Sequence, residues 1–291
     1  MNLSFIKKKL PWQAKIAAKV LMARFPASYR VWQNLDLFKH GEMEKPAYAY
    51  EMFRSHFDNA AFNNKADGFV CLEIGPGDSL FSCQIAKAYG AERTYLIDAG
   101  PFARQDITPY REMAAYLSGK GLPQIVLDDS QSLDDILKKY NGSYGTEGLV
   151  SLKLIPSGSV DFVWSHAVLE HIRKCEFHPF MRELRRIIKP DGICSHRVDL
   201  KDHLGGALNN LRFSETMWES DWMARSGFYT NRIRFEEMCG MFEHAGFSAT
   251  LLEVSRWDSL PTPRNMLAEP FYSVPEEDLL VSGFDVLLKP I

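Results

Sequence analysis

The chain has 291 residues, 46% of them hydrophobic, with 34 basic and 37 acidic side chains and a formal net charge of −3. That length allows one large core or a core with an appendage, and the mild acidity argues against nucleic acid as the main partner, which would favour a basic surface. Five scattered cysteines (Cys71, Cys83, Cys175, Cys194 and Cys239) form no CxxC pair and no disulfide framework, as suits a reducing cytoplasm. Cys175 and His178 are close in sequence but have no second ligand pair, so no zinc site is expected. No transmembrane-length apolar run, signal peptide or internal repeat is found, and the expectation is a soluble, cytoplasmic protein.

Residues 1–64 read as a helical N-terminal extension, broken at Pro11, at Pro26 and over Lys39–Pro46. Before Asp36 it carries Lys7, Lys8, Lys9, Lys15, Lys19, Arg24 and Arg30 without one acid, while Trp12, Ile16 and Val20 recur at helical spacing. A basic amphipathic helix of this kind either packs on the main domain with a solvated lysine face or lies on an anionic membrane surface, here the inner face.

From residue 65 the pattern alternates. Gly68–Gly75 is a short apolar strand and Ser79–Gly90 a helix closed by glycine. Arg93–Gly100 is a second strand, ending at Asp98, and helices follow at residues 107–121 and Ser132–Tyr140. Ser159–Ile172 runs strand into helix, and Pro179–Gly192 is an amphipathic helix stopping at Pro190. Another strand begins at Gly192, a helix spans Arg234–Phe247, and a last strand spans Ser282–Pro290. Strands separated by helix-length segments imply parallel pairing through right-handed crossovers, hence a doubly wound α/β sheet. Ligands of such sheets bind beyond the carboxyl ends of the strands.

One such end reads "EIGPGDS", residues 73–79, with Gly75 and Gly77 flanking Pro76. A dinucleotide turn wants a third glycine three residues on, and that place holds Leu80. This weakens a nicotinamide or flavin reading. A ligand without pyrophosphate still profits from close backbone approach and does not need the third glycine.

"LEIGPGDS" resembles the first motif, E/D-x-G-x-G-x-G, of the class I S-adenosylmethionine-dependent methyltransferases: Glu73, Gly75 and Gly77 match, and Ser79 stands where the third glycine often is. The similarity continues through "YLIDAG", "SGSVDFVWSHAVLEHI" and "ELRRIIKPDG" over residues 65–250, with "SGFDVLLKP" resembling the terminal antiparallel strand; the "LEH" after strand four is similar to a broad bacterial subgroup. The resemblance implies a mostly parallel seven-stranded Rossmann-like sheet with an antiparallel last strand, residues 65–291 as the catalytic domain, and S-adenosylmethionine as cofactor. It implies that Asp98, with Ala99 after it, meets the ribose hydroxyls, against the plainer role of a helix cap. Glu73, Gly75, Pro76 and Gly77 would support the methionyl portion, or merely make a strand–helix turn. For the third strand, Pro123–Ser130 (with Asp128 or Asp129 toward adenine) competes with Tyr140–Leu149; family spacing favours the second, with Thr146 and Glu147 as adenine-side candidates. Ser165 and His166 fall at the end of strand four, where the methionyl end or the acceptor is met.

Strand five, "GICSHRVDLKDHL", carries Ser195, His196, Arg197 and Asp199 where a central strand is normally apolar, so it is expected to emerge early into a polar crevice. His196, His203 and Asp199 are the candidate catalytic residues, with Asp202 beside them as a further base or metal ligand. Asp199 and His203 are four apart, so one helical turn would pair them. His171 of "LEH" reads more simply as a structural group. Residues 209–234, with Trp218, Trp222, Tyr229, Arg232 and Arg234, and residues 259–275 are read as substrate-side insertions or as extra core. An O-methyl acceptor is expected, a small molecule or a glycan or lipid-linked group. N-methylation, a nicotinamide oxidoreductase and a non-catalytic binding module stand as alternatives.

Overall fold

The computed structural model describes residues 42–62, 68–123, 125–128 and 132–291. The basic segment before Asp36 lies outside the described residues, with any membrane contact expected of it, and so does Asp129. Seven strands form one sheet: β1 (Val70–Ile74), β2 (Arg93–Ile97), β3 (Gly142–Gly145), β4 (Val160–His166), β5 (Ile188–Asp199), β6 (Phe247–Arg256) and β7 (Val281–Pro290). Their order across the sheet is β3-β2-β1-β4-β5-β7-β6. The first five pair in parallel, and β7 runs antiparallel to both β5 and β6. The order reverses between β1 and β4, which opens a crevice beyond their carboxyl ends. Among the described residues no helix is long and apolar enough to cross a membrane.

Alternation along the central strands feeds two cores. In β4, Phe162 and Trp164 point to one face and Val163 to the other. The first core is covered by α1 (Pro46–Asn59), α2 (Ser82–Ala88), α3 (Thr108–Gly119) and α4 (Leu133–Lys139). Helix α1 starts with proline at its first turn, where no amide hydrogen is missed, and buries Ala49, Tyr50, Phe53, His56 and Phe57 at helical spacing. Its Phe53 ring meets Trp164 edge-on at 5.9 Å and stacks on Phe57 at 5.5 Å. Burying an aromatic ring of this size stabilises the fold by about 1.5–3 kcal/mol, so α1 is firmly part of the first core. The second core lies under α6 (Lys174–Ile187) and α9 (Phe235–His244), with Phe177, Leu184, Met238 and Phe242 against β4, β5 and β7. A short α5 (Leu149–Lys153) follows β3.

Several boundaries differ from the sequence reading. The third strand is the Tyr140–Leu149 choice, and residues 125–128 have no regular structure. The segment after β4 makes only a 3-10 turn over Leu169–His171 before α6. Helix α6 begins at Lys174, ahead of the expected Pro179, and accepts that proline in its interior because Phe177, Phe180, Met181 and Leu184 bury one face. The bend "KPDG" is looped out of β5, since Ile188 faces Val160 and Ile193 already faces Phe162; Pro190 has no amide for the ladder. Strand β6 is absent from the sequence reading. It pairs only with β7, its Leu251 and Leu252 are exposed, and register shifts after Leu251 and Ser255 break its two-residue period.

The 200–234 stretch builds its own small core. Helices α7 (Glu215–Trp218) and α8 (Asp221–Ala224) enclose Trp218, which packs with Leu204, Met223, Phe228 and Tyr229 and donates from Nε1 to the Thr230 carbonyl at 2.7 Å. Arg232 is buried, lies over the rings of Trp218 and Phe271 at 5.4 and 5.3 Å, and donates to the Phe213 carbonyl. Buried Arg234 donates to the carbonyls of Leu200, just after β5, and of Asp278, Leu279 and Val281, tying the stretch to β7 and α10 (Glu276–Leu279). Of the aromatic and arginine side chains considered for acceptor binding, only Trp222 is substantially exposed; the others are core and staples. Residues 259–275 pack similarly, Leu267 and Phe271 against Leu208, Leu211 and Leu279.

Candidate functional site

At the carboxyl end of β1 the backbone turns sharply, with φ of +73° at Gly75 and +67° at Gly77. These are left-handed values that favour glycine. A Cβ on Gly75 would fall 2.4 Å from Cγ2 of Val168, so the second residue after β4 closes directly over the turn. The turn is anchored by Gly75 N–H donating to the Ile97 carbonyl at 2.8 Å and by the Ser79 hydroxyl donating to the Met43 carbonyl at 2.5 Å. Leu80, at the third-glycine place of a dinucleotide turn, is fully buried in the first core.

Asp98 follows β2 and is nearly buried. Its Oδ2 accepts from Gly77 N–H at 2.9 Å and its Oδ1 from Ala99 N–H at 2.7 Å. The backbone of Asp98 also bridges to the end of β3: its N–H donates to the Gly145 carbonyl and its carbonyl accepts from Gly148 N–H. Thr146 and Glu147 are thereby set beside Asp98, while Ser151 Oγ accepts from Glu147 N–H at 3.0 Å. Asp128 is tied elsewhere, pairing with Lys139 at 3.3 Å. The next helix, α3, begins at Thr108, so Asp98 caps no helix among the described residues.

Glu73 is fully enclosed, and burial pushes its carboxyl up to about 8; Asp98 adds to the rise and Ser82 opposes it. Its Oε2 accepts no hydrogen bond among the described residues. A buried carboxyl with one oxygen unpartnered among the described residues, on the strand that leads into the glycine turn, thus neighbours a second carboxylate braced by amides at the adjacent strand end.

The ends of β4 and β5 hold the histidines. Ser165 Oγ lies 2.7 Å from His196 Nδ1 on the second-core face, and His196 is fully buried. Burial pushes His196 down to about 3, so it stays neutral. The expectation that β5 emerges early into a polar crevice therefore fails at Ser195 and His196: both are interior, and strand pairing continues through Asp199. On the opposite face His166 Nδ1 lies 3.3 Å from His56 Nε2, and His56 Nδ1 lies 2.8 Å from Ser195 Oγ. His56 sits on α1 and is buried, which drives its imidazole down to about 3.

Asp199 and His203 do not pair. Residues 200–207 form turns, Asp199 accepts from Lys201 N–H and neighbours the Lys201 ammonium at 3.6 Å, and His203 stacks on His171 with their Nε2 atoms 3.2 Å apart. The premise of a helical turn after β5 was wrong because Asp202 organises this loop differently. Its Oδ1 accepts from the amides of Leu204, Gly205 and Gly206, and Oδ2 from Asn209 N–H. His171 Nδ1 donates to the Tyr229 carbonyl at 2.8 Å, a structural bond.

Two functional-looking groups escaped the sequence reading. His56 is a lone histidine on an amphipathic helix far upstream, with no local signal. Glu170, in the "LEH" stretch, is fully buried with neither carboxyl oxygen hydrogen-bonded among the described residues, and burial beside Asp199 pushes it up to about 8.

A family model described as a methyltransferase domain matches residues 72–195, which span β1 to β5 and contain both the glycine turn and Asp98. No curated protein matches the chain. Among solved structures, a Haemonchus contortus phosphoethanolamine N-methyltransferase complex is similar over 77% of this chain and 49% of its own, at 15% identity and a TM-score of 0.39. The present chain thus spans about half the length of that protein. A CurJ carbon methyltransferase matches 100% of this chain and 71% of its own, at 13% identity and a TM-score of 0.46. The Burkholderia thailandensis 1,6-didemethyltoxoflavin N1-methyltransferase matches 94% of this chain and 88% of its own, at 12% identity and a TM-score of 0.44.

Proposed function

We propose, for a chain that belongs to the class I S-adenosylmethionine-dependent methyltransferases, that the methyl acceptor is a hydroxyl on a small polar molecule, free or carried by a glycan or lipid. The observation that carries the cofactor half is the bond from Gly77 N–H to Asp98 Oδ2, which clamps a carboxylate against the glycine turn. A carboxylate oxygen can accept more than one hydrogen bond, and two adjacent ribose hydroxyls offer two donors that match the two oxygens of Asp98. Thr146 and Glu147 flank the adenine side. Gly75, Pro76, Gly77 and Ala99 contribute backbone, and Glu73 supports the turn from below. Bound there, S-adenosylmethionine supplies a methyl group already activated on a sulfonium.

The chain's own task is then to hold the acceptor and take up its proton. The acceptor half lies beyond β4 and β5, where His166 is half-buried and burial with the Arg197 charge holds its imidazole below its usual range. A neutral imidazole suits a hydroxyl, whose proton must leave as the methyl arrives. The test is to supply labelled cofactor with alcohols, phenols and amines of matched skeleton and to identify the product by mass. A methyl ether is expected; a methylamine as the sole product would replace this reading with N-methylation.

A further inference from the structure

Four imidazoles cluster near the ends of β4 and β5, and three are committed. His196 is sealed inside and bonded to Ser165. His171 is fixed on the Tyr229 carbonyl, and His203 is stacked on His171. His166 differs. It is half-buried at the last position of β4, its Nδ1 faces His56, and its Nε2 makes no hydrogen bond among the described residues.

Resting on the hydroxyl acceptor proposed above, we infer that His166 is the general base of the transfer and that His56 is the positioning residue that presents its free nitrogen. His56 is neutral, so it offers one N–H and one bare nitrogen. Two proton orders are open to the Ser195–His56–His166 chain. In one, His166 Nδ1–H donates to His56 Nε2, His56 Nδ1–H donates to Ser195 Oγ, and His166 Nε2 is left bare. In the other, every proton is reversed and His166 Nε2 carries hydrogen.

Only the first order can accept a proton, and only it tolerates the product. An imidazolium at His166 has hydrogen on both nitrogens and needs a bare nitrogen at His56. The first order leaves the Ser195 hydroxyl proton without an acceptor, an offset set against stabilising that imidazolium. The 3.3 Å separation is long for a hydrogen bond and leaves room to tighten as charge develops.

The step balances. The acceptor O–H proton passes to His166 Nε2 as the O–CH3 bond forms and the S–CH3 bond breaks. The products are the methyl ether, S-adenosylhomocysteine and an imidazolium that returns its proton to water. The charged groups facing His166 are Arg197 on β5, which lowers its proton affinity, and Asp285 on β7 with Asp199 on β5, which raise it; His56 faces it from α1. Arg197 and Asp285 are paired at 2.8 Å, so their effects on the ring partly cancel.

Ring-15N NMR of the intact protein at pH 7.5 reads the proton order directly. The expected result is a His166 with hydrogen on Nδ1 and a bare Nε2; hydrogen on Nε2 would overturn the inference. In turnover assays His166→Gln should lose about 100-fold or more in kcat while binding S-adenosylhomocysteine as the wild type does. His56→Leu should lower kcat by about tenfold with little change in acceptor KM and should shift the acidic limb of the pH profile. His56→Gln, whose side-chain carbonyl can accept the Nδ1 proton, should restore most of that loss. Equal losses in His56→Leu and His56→Gln would remove the positioning role. A hydroxyl-methylating enzyme whose His166→Gln variant keeps its kcat would remove the base alone, whereas methylation of amines only, with that variant fully active, would remove base and hydroxyl acceptor together.

Discussion

Glu170→Gln isolates the electrostatic cost of closing the ends of β4 and β5. Both carboxyl oxygens of Glu170 are buried without a hydrogen-bond partner among the described residues, and its carboxyl titrates at about 8 rather than 4.5. The folded carboxyl therefore keeps its proton while the unfolded one gives it up. Below pH 4.5 both states are protonated and nothing is lost. From there to pH 8 the unfolded chain is increasingly favoured, and above pH 8 the penalty levels off. At about 1.36 kcal/mol per pH unit, and with the two ends of the range only partly titrated, the side chain costs the fold about 3.5 kcal/mol more at pH 8 than at pH 5. Glutamine has nearly the same shape and does not titrate, so its own unpaired amide adds only a pH-independent offset. Thermal melts of the two proteins should diverge with pH, the variant gaining about 6 °C relative to wild type between pH 5 and pH 8. A constant difference in melting temperature across that range would show that the carboxyl is not held protonated, and the reasoning would fail.

Gly75→Ala should lose about 2–5 kcal/mol in urea unfolding, from the positive φ and from the overlap with Val168. Adding Val168→Ala should recover the overlap part and leave only about 1–2 kcal/mol of backbone strain; a double variant no more stable than the single would deny that Val168 closes the turn. On the acid side, His56 and His196 are both buried neutral with proton affinities pushed down to about 3. The unfolded histidines take up protons first, so stability should fall as pH drops from 6.5 toward 3, and His196→Gln should flatten that fall; an unchanged acid limb would show that His196 does not titrate in unfolding.

Much of this architecture could be read before any coordinates. The apolar run ahead of Gly75, the acid at Asp98 and the alternation of strands and helices are short-range signals, and backbone geometry enforces each locally. The seven-stranded, mostly parallel sheet and its antiparallel last strand followed from the resemblance. Strand β6 was illegible because register shifts erase its period and its leucines face outward. The polar residues of β5 misled for a different reason: Ser195 and His196 find partners on opposite faces, His56 and Ser165, and both partners come from other elements. Pairing satisfied inside a sheet looks in sequence like exposure to a crevice. The aromatic insertion likewise left two readings open, which only the packing of Trp218 around Phe228 and Tyr229 could separate. His56 was beyond reach because 110 residues separate it from His166.

The claim on which all else depends is that the β1 turn and Asp98 hold the nucleoside of S-adenosylmethionine. Titration calorimetry of S-adenosylhomocysteine into the wild type and Asp98→Ala tests it most directly. Losing two hydrogen bonds to a charged group, each about 1.5–3 kcal/mol, should weaken binding on the order of 100-fold or more. Equal affinity in the two proteins would contradict the account.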